Sequence, residues 1–425
     1  MATRLFAFYL REVTIMPKTL TTAFGLVLLI FGFASASAKA QPSGLISGIT
    51  IENAQKFSGD FDPVTCVNRN PERRNDLNKL LERIDNLGAR NVTVRVVFQQ
   101  NTHPSLYRCI LKEFKKHNYQ VMGLIFDSEA LATYRYVNSA DDTPVNCANY
   151  DDTRHDYKSR VKCYIETLNP SVDIWEAGNE VNGEWADEGC VKDKDDNCIS
   201  NVRPGKDKIK RCASSMPDAA KVVEKIRYAV EKTAATGKPV ALTLIHQPDC
   251  TSWDGYEMFD WFGNIESLLP QIKYLLVSYY EGNCDNGNYY KCDGIDLSRP
   301  PFDSPTSYSQ VKYNYCYLSR SERPDDRDKL RKIYWNVIFD NLHRRASVVN
   351  SDIKVGFGEV GCTDEHCDSK IDLLNRYYSI RATSPANPAT IQPWFIGGYF
   401  WWTAQHDMLT NGRFYPALQS HFRQH

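Results

Sequence analysis

Neither sign of charge is in excess: 51 Lys and Arg stand against 52 Asp and Glu. A balanced chain lacks the broad basic surface that holds nucleic acid or anionic lipid, and neither partner is expected. After Phe33 no stretch has eighteen apolar residues in a row, so no later segment is expected to cross about 30 Å of hydrocarbon. No apolar run of strand type is followed by G-x-G-x-x-G or by G-x-x-x-x-G-K-[ST], which removes the main support for a nucleotide-binding open sheet. No G-x-S-x-G follows such a run either, which speaks against a serine hydrolase. The cysteines show no C-x2-C spacing. Cys362, Asp364, His366 and Cys367 form the one cluster with the ligand types for zinc, and it has no second pair. Asp193, Asp195 and Asn197 resemble the start of a calcium loop, but Cys198 stands where that loop needs glycine. No metal and no cofactor are expected.

What is present begins with a targeting segment. Thr22 to Phe33 is nearly all apolar, Lys18 precedes it, and Ala34-Ser35-Ala36-Ser37-Ala38 comes after it. This is the layout of a secretory signal over residues 1–38, with Met16 as a second candidate start and a mature chain beginning near Lys39 or Gln41. The thirteen cysteines agree with export to an oxidising compartment, either secreted or periplasmic. Three pairs lie close in sequence: Cys190 with Cys198, Cys284 with Cys292, and Cys362 with Cys367. Each spacing would let a loop staple itself. The pairing of the other seven, Cys66 and Cys147 among them, does not follow from sequence.

Beyond residue 41, short β-type apolar runs alternate with stretches of helical period. The runs are Leu45–Ile51, Val92–Phe98, Val121–Phe126, Val172–Gly178, Val240–Ile245, Tyr274–Tyr280, Ile353–Gly358 and Ile396–Trp402. The helical stretches include Pro71–Leu87, with Leu77, Leu80, Leu81, Ile84 and Leu87 on one face, and Arg327–Val348. Tyr256–Leu269 also reads as helix. Strand and helix in succession make a parallel sheet. Eight such units with no change of composition predict an α/β fold, one (β/α)8 TIM-barrel domain over residues 41–425. Long loops leave the fourth run (Val181 to Ser215) and the sixth (Gly282 to Pro324), both on the face where barrel enzymes place their sites.

Two segments carry the chemistry. The fourth run ends Glu176-Ala177-Gly178-Asn179-Glu180, and the seventh ends Gly356-Phe357-Gly358-Glu359-Val360-Gly361. In an eight-stranded barrel these strands face each other across the mouth. Two opposed carboxyls are what glycoside hydrolysis requires: one protonates the leaving oxygen, and the other attacks or activates water.

On these motifs the sequence resembles clan A of the glycoside hydrolases, the retaining (β/α)8-barrel glycosidases. The resemblance spans the whole chain after the signal in architecture and a handful of positions in motif. It implies Glu180, after Asn179, as acid/base and Glu359 as nucleophile. It implies that Arg95 on the second run and a tyrosine ending the sixth, Tyr280 or Tyr279, support the nucleophile. A tryptophan ending the eighth, Trp402 or Trp401, would floor the sugar site. Val181 and Ser278 depart from the cellulase-like pattern, which has Pro and His there, so the resemblance stops at the clan. The expected substrate is a β-linked oligo- or polysaccharide.

The residues themselves add that Asn179 is suited to a sugar 2-OH and that His246 and Gln247, ending the fifth run, are within reach of a sugar. Glu52, Gln99, Asp127 and Asp407 also end runs and are weaker candidates. Loop aromatics such as Trp185, Trp253, Tyr289 and Tyr313 offer faces on which sugar rings pack. Two other readings fit the same residues, a non-catalytic carbohydrate-binding barrel and a transglycosylase.

Overall fold

The computed structural model describes residues 45–62, 64–67, 75–88, 92–134, 136, 146–183, 191–192, 198–199, 219–246, 258–280, 294–300, 302, 309–310, 313–314, 316–317, 327–361, 370–384 and 387–423. The signal segment, most of both long loops, Gln247, Trp185, Trp253, Tyr289 and the side chains of the three close cysteine pairs lie outside the described residues.

Eight parallel strands close into a barrel: β1 (Ile46–Ile51), β2 (Val92–Val97), β3 (Gln120–Leu124), β4 (Ile174–Gly178), β5 (Val240–Ile245), β6 (Tyr274–Tyr280), β7 (Lys354–Gly361) and β8 (Gly397–Trp401). Each pairs with its sequence neighbours, and β1 closes the ring against β8. This is the predicted (β/α)8 barrel. Around it lie α1 (Asn75–Asp85), α2 (Ser105–Lys116), α3 (Ser128–Thr133), α4 (Tyr157–Leu168), α5 (Ala219–Ala234), α6 (Met258–Trp261), α7 (Arg327–Ser347), α8 (Lys370–Tyr378), α9 (Ala404–Thr410) and α10 (Phe414–Phe422). Gly88 and Gly237, both at positive φ, come after α1 and α5 and supply the left-handed turn that ends a helix. Among the described residues, no helix is long and apolar enough to cross a membrane.

The structure departs from the sequence pattern in three places. Of the helix expected over Tyr256–Leu269, only Met258–Trp261 is α-helical, and Phe262–Gln271 winds as a 3-10 helix. Gly263 and Pro270 both weaken the i to i−4 ladder there. The short helices α3 and α9 were not foreseen. The seventh strand runs three residues past its expected end and takes in Glu359. Gly356 to Gly361 does spell G-x-G-x-x-G, but it lies inside β7 rather than between a strand and a helix.

Alternation along the strands sorts side chains into two cores. Ile46, Met122, Ile174, Ala241, Tyr274, Leu276, Ile396 and Phe400 fill the barrel's interior. The opposite faces of the strands, including Ile49, Val94, Leu242, Val277, Phe357 and Trp401, pack against the helices. Among the described residues, disulfides join Cys66 to Cys109 and Cys147 to Cys163. Sequence spacing had not resolved either.

Candidate active site

Two β-bulges aim the chemistry. Between β4 and β5, Glu176 pairs with Ala241 and Gly178 with Leu242, so β4 carries one extra residue. Between β6 and β7, Val277 pairs with Phe357 and Tyr279 with Val360, so β7 carries one extra. An added residue reverses the in–out phase of the strand beyond it. On β7 the Cβ position of Gly358 already faces inward, 2.7 Å from Thr243 Cγ2, so a side chain there would displace its neighbour. After the bulge Glu359 also turns inward. On β4 the bulge is succeeded by Asn179 and by Glu180 at φ +50°, a strained conformation for a non-glycine residue.

Glu359 is 2 % exposed and held by three side chains. Its Oε1 accepts from Arg95 Nη1 and, at 2.9 Å, from Asn179 Nδ2, and its Oε2 accepts from the Tyr280 hydroxyl. Its backbone N–H donates to Ser278 Oγ at 3.2 Å. Arg95 is wholly buried and grips a second carboxylate, Glu176, through Nε at 2.5 Å and Nη2 at 3.0 Å. Glu176 also accepts from Thr243 Oγ1 at 2.5 Å. Burial works against the charge on Arg95, but Glu176 and Glu359 outweigh it and keep the guanidinium protonated.

Glu180 has a different setting. It is 4 % exposed, and its Oε1 is buried without a hydrogen-bond partner. Ser278, whose Oγ accepts from the Glu359 N–H, also acts on the Glu180 carboxyl in favour of its charged form. Burial, then the charges of Glu359 and Asp127, push Glu180 well above the usual carboxylate range. Burial also raises Glu359, which stands at about 7 against the opposing effects of Arg95 and the Tyr280 hydroxyl. Of the two carboxyls, Glu180 is therefore pushed the further toward its protonated form.

The remaining predicted residues divide. Tyr280 reaches Glu359, whereas Tyr279 points outward onto Trp335 and Tyr377. Trp401 also points outward, packing on Phe414 and donating from Nε1 to Asp407 at 2.9 Å. Trp402, half-buried, is the next inward position after Phe400. His246 is fully buried behind the mouth, with Nε2 2.5 Å from the Tyr334 hydroxyl and its ring against Phe259 and Trp335. These contacts place it against α7 (Tyr334 and Trp335) at the end of β5.

Asp127, among the weaker candidates, accepts from Asn179 Nδ2 at 3.3 Å and caps α3 through Ser128 N at 2.8 Å. Sequence reasoning gave no role to Glu176, Thr243 or Ser278. Arg95 held the signal for Glu176: a charged side chain at an inward position in mid-strand needs a carboxylate at an inward position nearby.

No family model matches this chain, and no curated protein matches it. Solved structures similar to it include the β-glycosidase BGL167, at 14 % identity over 90 % of this chain and 97 % of that one, with a TM-score of 0.46. Another is Fpglu1 from Fervidobacterium pennivoraus, at 13 % identity over 85 % and 87 % with a TM-score of 0.41. A third is a β-glycosidase from Thermosphaera aggregans, at 13 % identity over 85 % and 88 % with a TM-score of 0.42.

Proposed function

We propose that the chain is a retaining glycoside hydrolase of the clan A type, acting on a β-linked glycan outside the cytoplasm. The observation that carries this reading is the contrast between two buried carboxyls on opposed strands. Glu359 accepts three hydrogen bonds, and Glu180 Oε1 accepts none. One is built to stay ionised and the other to hold a proton.

In the first half-reaction Glu359 attacks the anomeric carbon while Glu180 gives its proton to the departing glycosidic oxygen. Arg95 and Tyr280 keep the attacking carboxylate charged and oriented. The glycosyl–Glu359 ester then meets water. Glu180, now ionised, takes the water's proton as its oxygen bonds to the anomeric carbon, and Glu359 departs as carboxylate. Asn179 Oδ1, buried and without a partner, is an acceptor for the sugar 2-OH, a contact that strengthens in the transition state. Two inversions give retention, for which the carboxyls stand about 5 to 5.5 Å apart. The Cys66–Cys109 and Cys147–Cys163 disulfides suit the exported location that the N-terminal segment implies.

The test is hydrolysis of a panel of aryl β-glycosides and wall polysaccharides, with the first-formed anomer read by NMR. A β-anomer product supports the reading. An α-anomer product contradicts retention, and sugar binding without hydrolysis would favour the non-catalytic barrel.

A further inference from the structure

Glu52 lies at the mouth with no part in the mechanism above. Inward positions on β1 are Ile46, Gly48, whose Cβ would strike the Phe400 ring, and Thr50, so the next is Glu52. Its backbone is fixed from both sides: Gln99 Nε2 donates to the Glu52 carbonyl at 2.7 Å, and Asn53 N–H donates to Gln405 Oε1 at 3.2 Å. The charged groups that act on its carboxyl are Asp407, Glu359 and Asp127, opposed by Lys56. Asp407 is already engaged by Lys370, Trp401 and Thr403, and Asp127 by Ser128 and Asn179. Glu52 Oε1, by contrast, is buried and accepts no hydrogen bond.

A second acceptor stands beside this acidic group. Asn179 is 1 % exposed and donates to both Asp127 and Glu359, so its side chain is aimed into the site, and its Oδ1 is also without a partner. Two buried acceptors left open call for donors on the ligand. Sugar hydroxyls and ammonium groups are donors. The carboxylate of a uronic acid is only an acceptor, and it would bring a negative charge toward Glu52, Glu359, Asp127 and Asp407.

Resting on the hydrolase reading, we propose that Glu52 is a specificity-determining residue of the sugar subsite beside Glu359, which accepts hydrogen bonds from a hydroxyl or ammonium group and so selects neutral or amino sugars over uronates.

The experiment compares the wild type with Glu52→Gln and Glu52→Ala on 4-nitrophenyl β-glucoside, β-xyloside, β-glucosaminide and β-glucuronide. Calorimetric binding of the corresponding methyl glycosides is measured in parallel. The wild type is expected to bind and cleave neutral or amino sugars and to reject the glucuronide. Glu52→Gln should lower kcat/KM on the preferred sugar by about 10- to 100-fold, the size expected for a hydrogen bond to a charged group. It should also narrow discrimination against the glucuronide at least about tenfold, a ratio that a merely structural defect would leave alone. A larger loss on the glucosaminide than on the glucoside identifies an ammonium at Glu52, and equal losses identify a hydroxyl. Wild-type preference for the glucuronide, or unchanged sugar preference in both folded variants, overturns the proposal. If the wild type cleaves nothing, the hydrolase reading fails, and the binding preferences still decide the role of Glu52.

Discussion

Two arginines, Arg95 and Arg160, are both wholly buried and both paired with a carboxylate, yet they do opposite things. Arg160, on α4, meets Asp152 at 2.5 Å, and that carboxylate is closed on every side by Tyr134, Tyr150 and the Thr102 N–H. The guanidinium spends its other donors on the carbonyls of Ile125, Phe98 and Gln99, just past the ends of β3 and β2. That network ties two strand ends together and leaves no group for a substrate. Arg95 also uses all three of its nitrogens, but it grips one carboxylate, Glu176, inside the barrel and another, Glu359, that faces the mouth. Burial and pairing therefore do not separate an arginine that only ties the fold together from one that faces the proposed site. What separates them is the polar atoms left open nearby: Glu180 Oε1 and Asn179 Oδ1 lie around Arg95's carboxylate.

The largest effect is expected at Glu359. Glu359→Ala should lower turnover by at least about 10^4-fold on every glycoside, measured with the variant shown to be folded. Glu180→Ala should lose about 10^2- to 10^4-fold on natural linkages, where the leaving group needs a proton. On aryl glycosides of very acidic phenols the loss of bond cleavage should be far smaller, and the glycosyl-enzyme should accumulate and be visible by mass spectrometry.

The pH profile sharpens the contrast next. The rate should rise on the acidic side as Glu359 ionises and fall on the alkaline side as Glu180 loses its proton. Arg95→Lys should move the acidic limb to higher pH, because the ionised form of Glu359 loses its strongest support. Arg160→Met should leave the limbs in place for the folded fraction while lowering stability by about 3 to 5 kcal/mol in denaturant unfolding, the cost of stranding a buried charge. A shifted limb in Arg160→Met, or an unmoved one in Arg95→Lys, would erase the distinction drawn between them.

The smallest effect concerns stability at Glu180 itself. Its folded pKa is raised, so the stabilising contribution of the protonated form is complete below the unfolded carboxyl range and is lost as pH rises through the folded value. Glu180→Gln removes that loss. The melting temperature of the variant should therefore gain on the wild type as pH increases, and a gap that closes with rising pH would contradict the buried, proton-holding state.

The barrel was legible because β1 to β8 are short apolar runs at regular intervals, and alternation needs no tertiary information to read. Asn179, Glu180 and Glu359 were legible because strand ends on one face converge, and Arg95 and a tyrosine, Tyr279 or Tyr280, were implied by the resemblance to clan A. The choice between Tyr279 and Tyr280, and between Trp401 and Trp402, stayed open in the sequence, since it depends on the phase of each strand relative to the interior. The surroundings of His246 stayed open for the same reason: a residue at a strand end can turn toward a helix, and Tyr334 on α7 supplies a partner that no local pattern announces. Glu176 and Ser278 went unassigned because their partners lie on other strands, 81 residues away in each case. The bulges in β4 and β7 are one-residue register shifts, which apolar periodicity does not record.

The division of labour, in which Glu359 forms the covalent bond and Glu180 carries the proton, is tested most directly by the configuration of the glycosyl azide formed when azide is added to each alanine variant. In Glu180→Ala the ester at Glu359 still forms on an activated β-aryl glycoside, and azide displaces it without a general base, so the product should be the β-glycosyl azide. In Glu359→Ala azide enters the vacated side and attacks the substrate directly, so the product should be the α-glycosyl azide. Exchange of the two configurations would mean that the roles of Glu180 and Glu359 are reversed, and failure of azide to react in either variant would contradict the double displacement.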